Sequence, residues 1–249
     1  MHPESEPGRN RELNIDPVLP LPPAVLPSRT AIEGRSATVE PLDARKHGSE
    51  LYAASHDRTD AEQIWTYLPY GAFPSLDSYE VWLRSCSAAP DPLFFAIRDH
   101  ETGKASGLAS LMSIEPLHGS IEIGHIMLGL PLQNTVAGTE GLYLLMKHAM
   151  DDLGNRRLEW KCDAMNEPSR RAARRLGFAF EGVFDQHRIV KGRNRDTAWY
   201  SILDSEWPQI QVCFAHWLDR ANFDENGRQK TSLSTLTKAF RDLQVQSLG

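Results

Sequence analysis

The stretch Gln133-Asn134-Thr135-Val136-Ala137-Gly138 lies between a strand-like run and the start of a long amphipathic pattern. A helix N-terminus presents backbone N–H groups that have no intrahelical acceptor, and its dipole favours negative charge. Amides converging there suit an anion such as a pyrophosphate, and small residues such as Ala137 and Gly138 let the backbone come close to it. Any strand-to-helix loop offers some free amides, so by itself this one reads equally as a structural turn.

Other reactive side chains exclude more than they suggest. His125, His148, His187 and His216 show no metal-ligand spacing of the H-E-x-x-H kind, and no metal is expected. Cys86, Cys162 and Cys213 form no C-x-x-C pair, and an odd, sparse set suits a reducing compartment. Cys162 alternates with Leu158 and Trp160, which places it in the core rather than in the role of nucleophile. Arg170, Arg171, Arg174 and Arg175 recur at i, i+4 across two neighbouring faces and read as a solvated helix surface rather than an anion site. A net charge of −6 argues against general nucleic-acid binding, which needs an excess of Lys and Arg. The apolar stretches fall short of a membrane span, and Met1–Asn10 has no basic segment followed by an apolar core. A cytoplasmic location is therefore expected, with no membrane partner.

These residues need elements to hold them. Pro17, Pro20, Pro22, Pro23 and Pro27 favour extended chain, so residues 1–27 read as a Pro-rich N-terminal tail. Its Val18, Leu19, Leu21, Val25 and Leu26 offer apolar points for docking. Residues 36–42 predict a strand, followed by helices from Asp43, from Asp60 through Trp65, and from near Asp77. Leu93–Arg98, Ala105–Ile114 and Ser120–Leu128 predict an antiparallel meander. Leu142, Leu145, Met146, Ala149, Met150 and Leu153 give a helix from about Gly138 to Leu153, stopped by Gly154-Asn155.

Leu158, Trp160 and Cys162 alternate with Glu159, Lys161 and Asp163 as the next strand. Strand, helix and strand in succession require a crossover, hence a parallel pair. A helix over Glu167–Leu176 capped by Asn166, a hairpin of Phe178–Ile189 with Arg195–Leu203, and a helix carrying Trp207, Ile210, Phe214, Trp217 and Leu218 complete residues 28–219. The fold class is α+β: a mixed, mostly antiparallel twisted sheet with one parallel pair, flanked by helices. Residues 220–249 form a polar C-terminal extension, where Leu233, Leu236, Phe240 and Leu243 allow a short helix.

The unit from Ser120 to Leu153, followed by Asn166-Glu167-Pro168-Ser169 and Leu176-Gly177-Phe178, resembles the GCN5-related N-acetyltransferase (GNAT) family. Within it, the likeness is to the RimJ/RimL-like branch of ribosomal-protein N-terminal acetyltransferases. The family's phosphate loop, Gln/Arg-x-x-Gly-x-Gly/Ala, is matched at Gln133 and Gly138. Its Asn-x-x-Ser signature is matched at Asn166 and Ser169. Ile64–Gly71 and the Lys191–Trp199 hairpin also resemble this branch, so the likeness runs over residues 30–205.

The resemblance implies direct transfer of acetyl from acetyl-coenzyme A to a primary amine, with the parallel pair at the coenzyme site. Gln133, Asn134, Thr135, Val136, Ala137, Gly138 and Thr139 would hold the pyrophosphate. The backbone of Met127 and Leu128 would pair with the pantetheine arm, and Asn166 and Ser169 would contact the coenzyme. Glu122 is the implied general base, directly or through water; otherwise it is an outward-facing strand residue paired with a nearby Arg or Lys. Ser169 is the implied acid for the departing thiolate, or else a first-turn residue bonding backbone. Tyr67, Tyr70 and Phe73 would line the acceptor pocket or else pack in the core. Lys191, Arg193 and Arg195 would edge the acceptor groove or form a polar hairpin tip.

Val136 stands where the loop's first glycine falls, and a β-branched residue resists a left-handed conformation. The loop must therefore avoid that conformation there or bind phosphate less closely. The acceptor is a protein N-terminal α-amine or a small-molecule amine, and a catalytically silent acyl-coenzyme-A-binding module is the alternative of another class. A homodimer is compatible with the sequence.

Overall fold

The computed structural model of the chain describes residues 22–57 and 61–246. They fall into two compact units, Ala24–Asn155 and the residues from Arg156 onward.

In the first unit five strands pair antiparallel in chain order: β1 (Ile32–Glu33), β2 (Ala37–Pro41), β3 (Leu93–Asp99), β4 (Ala105–Glu115) and β5 (Ser120–Leu128). Helix α1 (Ala44–His56) starts at Asp43, whose carboxylate accepts the Arg45 and Lys46 N–H groups. Helix α2 (Leu76–Ala88) opens with a capping box between Ser75 and Ser78. Both helices cover one sheet face, bringing Leu51, Tyr79 and Leu83 onto Phe94, Ala96, Leu108 and Met127. Ile97 follows Ala96 and so points to the other face, where Gly141 of α3 (Val136–Lys147) closes on it. The sheet thus carries a helical layer on each side.

Three details differ from the sequence reading. Helix α3 begins at Val136, two residues before Gly138, because the Thr135 hydroxyl caps it by accepting the Gly138 N–H at 3.0 Å. It runs on through a π-helical turn, His148–Asp152, that keeps Ala149 and Met150 buried. The helix expected from Asp60 is a 3₁₀ turn, Ala61–Trp65, and residues 58–60 lie outside the described ones. Of the N-terminal tail, residues 1–21 also lie outside them. Its described end is pinned by backbone, with Ala24 N–H donating to Pro116 and Val25 N–H to Leu153, while the Val25 and Leu26 side chains stay exposed.

In the second unit β6 (Arg157–Asp163) and β7 (Ala179–Val190) both pair antiparallel with β8 (Arg193–Leu203). Cross-strand partners Trp160 and Tyr200 share a face with Cys162 and Ala198. Helix α4 (Glu167–Arg175) lies on that face, where Trp160 donates to Ser169 and Arg170 to Tyr200. Helix α5 (Trp207–Leu218) follows, and the helix allowed by Leu233, Leu236, Phe240 and Leu243 forms as α6 (Leu233–Gln246). Arg241 of α6 donates to the Gly177 carbonyl and pairs with the buried Glu206 at 2.7 Å. Thr237 bonds the Arg175 carbonyl at 3.2 Å.

A charged clip ties β2 to α1 and β3. His47 is fully buried; its Nδ1 accepts the Asp43 N–H, so its proton sits on Nε2 and is donated to Glu40 at 2.6 Å. Lys46 and Arg98 reach the same carboxylate at 2.9 and 3.2 Å. Burial alone would raise the Glu40 carboxyl, but the hydrogen bonds from Arg98, Lys46 and His47 outweigh it and hold the pKa at about 2. Burial lowers His47 despite its bond to Glu40.

Both shifts have the same sign for stability. A depressed carboxyl stabilises the fold fully above the unfolded value near 4.3, and that contribution is lost as pH falls through about 2. A histidine buried neutral opposes the fold once pH falls below its ordinary value near 6.5. Thermal melts from pH 7 to pH 3 should therefore fall steadily. Glu40→Gln should flatten the acid part of that slope and cost about 2 kcal/mol at neutral pH.

Candidate functional site

Directly opposed residues of an antiparallel ladder share a face. Gly124 opposes Ser110, which opposes Phe94, part of the cluster beneath α1 and α2. Glu122 lies two residues before Gly124 and opposite Met112, so it occupies this same face. It is 6% exposed, and Ser113 Oγ donates to its Oε2 at 3.2 Å. The outward-facing alternative therefore does not describe it. Gly124 makes room for the Met112 side chain beside the carboxylate: a Cβ there would collide with Met112 Sδ, while it would meet Glu122 Oε1 at 3.5 Å, an ordinary contact.

Beyond Gly124 the ladder slips. Gly124 opposes Ser110 while Met127 opposes Leu108, so His125 and Ile126 face Ala109 alone in a β-bulge. His125 adopts φ 50°, and Ser113 on the neighbouring strand adopts φ 49°. Such backbone costs on the order of 1 kcal/mol per residue and gathers at functional sites. The His125 ring stacks on Tyr70 at 5.7 Å, and its Nδ1 lies 3.0 Å from the Tyr70 hydroxyl. Sequence reasoning weighed His125 only as a metal ligand and missed it here. Its sole signal was its position, three residues after Glu122 on the strand entering the loop.

Tyr70 packs 4.4 Å from Trp82, and Phe73 stacks on Trp82 at 5.1 Å with its edge to Trp65. Burial raises the Tyr70 hydroxyl well above its usual range, so it remains a proton donor. Tyr67 is half-buried. Tyr70 and Phe73 thus join an aromatic layer on the same sheet face as Glu122.

The loop after β5 builds an anion-ready helix start. Gln133 Nε2 donates to the Leu128 carbonyl at 2.8 Å, and Thr135 Oγ1 donates to the Leu132 carbonyl at 2.8 Å. Thr139 Oγ1 returns to the Thr135 carbonyl. The left-handed residue is Asn134, at φ 59°, a type that tolerates it. Val136 is the first helical residue, so the conflict expected at that position does not arise. Gly138 serves the loop's own packing, because a Cβ there would run into the Leu132 carbonyl.

Val136 and Ala137 hold the first two helical positions, whose N–H groups have no intrahelical acceptor, and no acid occupies the first turn. Gln133 and Asn134 are exposed and Thr135 and Val136 half-buried, while Ala137, Gly138 and Thr139 are buried. These residues fit a diphosphate approaching the rim Gln133–Val136. The Met127 side chain is sealed in the aromatic core, so only its backbone is offered to a ligand.

In the second unit Asn166 caps α4 by accepting the Ser169 N–H at 3.1 Å. Ser169 Oγ accepts from Trp160 Nε1 at 3.0 Å. Burial pushes the Cys162 thiol up to about 11, which keeps it protonated and rules it out as a nucleophile at neutral pH. The arginine row is only partly the solvated surface expected. Arg171 and Arg174 pair with Glu167, but Arg170 is buried against Tyr200, and Arg175 lies over the Trp217 ring at 5.1 Å. Among the described residues no cluster of His, Cys, Asp and Glu could hold a metal ion, and no helix is long and apolar enough to cross a membrane.

Residues 41–179 match the family described as Acetyltransferase (GNAT) domain. The crystal structure of a GCN5-related N-acetyltransferase from Brucella melitensis is 48% identical, covers 90% of this chain and 99% of its own, and superposes with a TM-score of 0.85. A probable GNAT-family acetyltransferase from Chromobacterium violaceum ATCC 12472 is 37% identical over 79% of this chain and all of its own, with a TM-score of 0.71. Among curated proteins, "Putative ribosomal N-acetyltransferase YdaF" of Bacillus subtilis (strain 168) is 28% identical over 105 residues. That match spans 42% of this chain and 57% of YdaF, little more than half of that relative's length.

Proposed function

Since the chain belongs to the GNAT family of acetyltransferases and has its α+β fold, we propose that it moves acetyl from acetyl-coenzyme A to the α-amino group of a protein N-terminus. The carrying observation is Glu122: a buried carboxylate on the α1/α2 face of β5, on the strand that runs into an anion-ready helix start. Acetyl-coenzyme A supplies an activated acyl group when bound. The rest falls to the chain's own groups.

Val136 and Ala137 amides, with Gln133, Asn134, Thr135, Gly138 and Thr139 shaping the loop, receive the pyrophosphate. Backbone groups of Met127 and Leu128 receive the pantetheine amides, in the manner of an added strand. As the amine nitrogen bonds to the thioester carbonyl carbon, Glu122 takes the amine proton directly or through one water. The carbon–sulfur bond breaks, and the sulfur takes a proton; Ser169 is the proposed donor and Asn166 a coenzyme contact. An α-amine, with a pKa near 8, is partly neutral at pH 7, so one buried carboxylate suffices as base. Tyr67, Tyr70 and Phe73 form the acceptor side.

The YdaF likeness supports a ribosomal protein terminus as acceptor, in the manner of the RimJ/RimL-like branch, which implies a cytoplasmic setting. A small amine is the competing acceptor, favoured by the dense packing of Phe73 against Trp65 and Trp82. The test is to supply acetyl-coenzyme A with free-terminus peptides in one arm and small primary amines in the other, following thiol release and product mass. Acetylation of peptide α-amines is the expected result. Turnover confined to small amines would overturn the protein-terminus reading, and thiol release in neither arm would leave a silent acyl-coenzyme-A binder.

A further inference from the structure

The β7–β8 hairpin carries Arg188, Lys191, Arg193 and Arg195 alongside Glu181, Asp185 and Asp196. Arg188 and Arg195 stand directly opposite in the ladder, an arrangement in which like charges destabilise. Arg195 is half-buried, and its Nε is sealed from solvent without an acceptor. Trp199 Nε1, four residues on, is sealed and unpaired too. Among the described residues neither Arg188 nor Arg195 has a carboxylate partner. A guanidinium N–H sealed from water and left without an acceptor is a cost with no structural return.

Its surroundings are specific. Arg195, Thr197 and Trp199 alternate onto one face of β8, opposite the Trp160–Tyr200 face that carries α4. Across the ladders Lys161 opposes Trp199 and Phe184 opposes Thr197. Lys161 pairs with Glu159 at 2.7 Å and lies 4.1 Å over the Trp199 ring. Asp163 also opposes Thr197, and its Oδ1 accepts the Met165 N–H. His187 sits in a bulge of β7 between Phe184 and Arg188, with Nδ1 3.0 Å from Thr197 Oγ1. Its ring lies 5.6 Å from Phe184 and 5.9 Å from Trp199. Burial first, then the charges of Arg188, Arg195 and Lys161, lower the His187 imidazole, so the field of three cations converges beside these rings.

We infer that this face binds an oxyanion, a carboxylate or phosphate monoester, carried on a planar or apolar body. Arg195 anchors the anion, Arg188 adds charge, and Phe184, His187 and Trp199 wall the body. A guanidinium fork matches either oxyanion with two hydrogen bonds. A planar body stacks on the rings.

The test uses the full-length protein and three probes: benzoate, phenyl phosphate and uncharged benzamide. The Trp199 indole N–H is followed by nuclear magnetic resonance and assigned through Trp199→Phe. Saturable shifts with a charged probe in the millimolar range are expected, at least tenfold weaker in Arg195→Gln and absent with benzamide. The tighter of the two charged probes identifies the anion. The exposed Arg188→Gln, which leaves the packing untouched, should weaken binding several-fold.

Without probe, Arg195→Met should raise the melting temperature by a few degrees, since it removes the sealed, unsatisfied Nε–H and the like-charge pairing with Arg188. Benzamide binding as well as benzoate, an Arg195→Gln variant that binds like the parent, or a lowered melting temperature in Arg195→Met would each overturn the assignment.

Discussion

Glu122→Gln is expected to lower kcat for acetyl transfer about a hundredfold to a thousandfold, the range removed with a general base. The affinity for acetyl-coenzyme A should stay within about twofold, because the substituted group faces α1 and α2 and not the helix start at Val136. Glutamine keeps the volume and can still accept from Ser113 Oγ, so the tight space beside Gly124 and Met112 is preserved and the fold should hold. What the amide loses is the capacity to take a proton. The two roles open to this carboxylate predict opposite patterns. A structural carboxylate would give a variant that melts early yet turns over normally when cold; a base gives a stable, slow enzyme. Steady-state kinetics beside a thermal melt separates them.

The second large effect belongs to Val136→Asp. Position 136 is the first residue of α3, where an acid is favoured by the helix dipole, and its side chain is only half-buried. The variant should therefore melt at or slightly above the temperature of the parent. A pyrophosphate at the same amides would meet a fixed negative charge within a few ångströms. At an effective dielectric near 20 that repulsion amounts to about 2–4 kcal/mol, weakening coenzyme binding roughly 30-fold to several hundredfold. Stability rising while affinity collapses is a signature that unfolding cannot produce. Gly138→Ala is a poorer probe, because its Cβ would strike the Leu132 carbonyl and disturb the loop before any ligand arrives.

Local signals carried most of the elements. Alternation placed β5 at Ser120–Leu128 to the residue, and Asp43 and Asn166 marked the starts of α1 and α4, because a side chain capping a backbone amide acts within three residues. The start of α3 was read two residues late, since the apolar stripe begins only at Leu142 while the true cap is Thr135, ahead of it. Val136 looked like an obstacle in the loop only while the left-handed turn was assigned to it. That turn belongs to Asn134, and the Thr135 hydroxyl beside it bonds back to the Leu132 carbonyl, a contact that no spacing reveals.

The site was legible in part. Glu122 stood out on its strand, but its surroundings include Met112 and Ser113, which arrive from the neighbouring strand β4. His125 could not be found by periodicity, because a bulge breaks the period that would have placed it. Arg170 and Arg175 read as solvated for a similar reason. Their spacing is that of a helix surface, while Tyr200 and Trp217, distant in sequence, take them out of water.

Calorimetric titration of the intact protein with acetyl-coenzyme A, with the Val136→Asp variant alongside, tests whether the helix start at Val136 holds the coenzyme's phosphates. The parent protein should show one saturable site with a dissociation constant between about 1 μM and 1 mM, weakened at least 30-fold in the variant at unchanged melting temperature. No heat at millimolar coenzyme, or equal affinity in the two proteins, would contradict the assignment of the helix start at Val136 as the phosphate site.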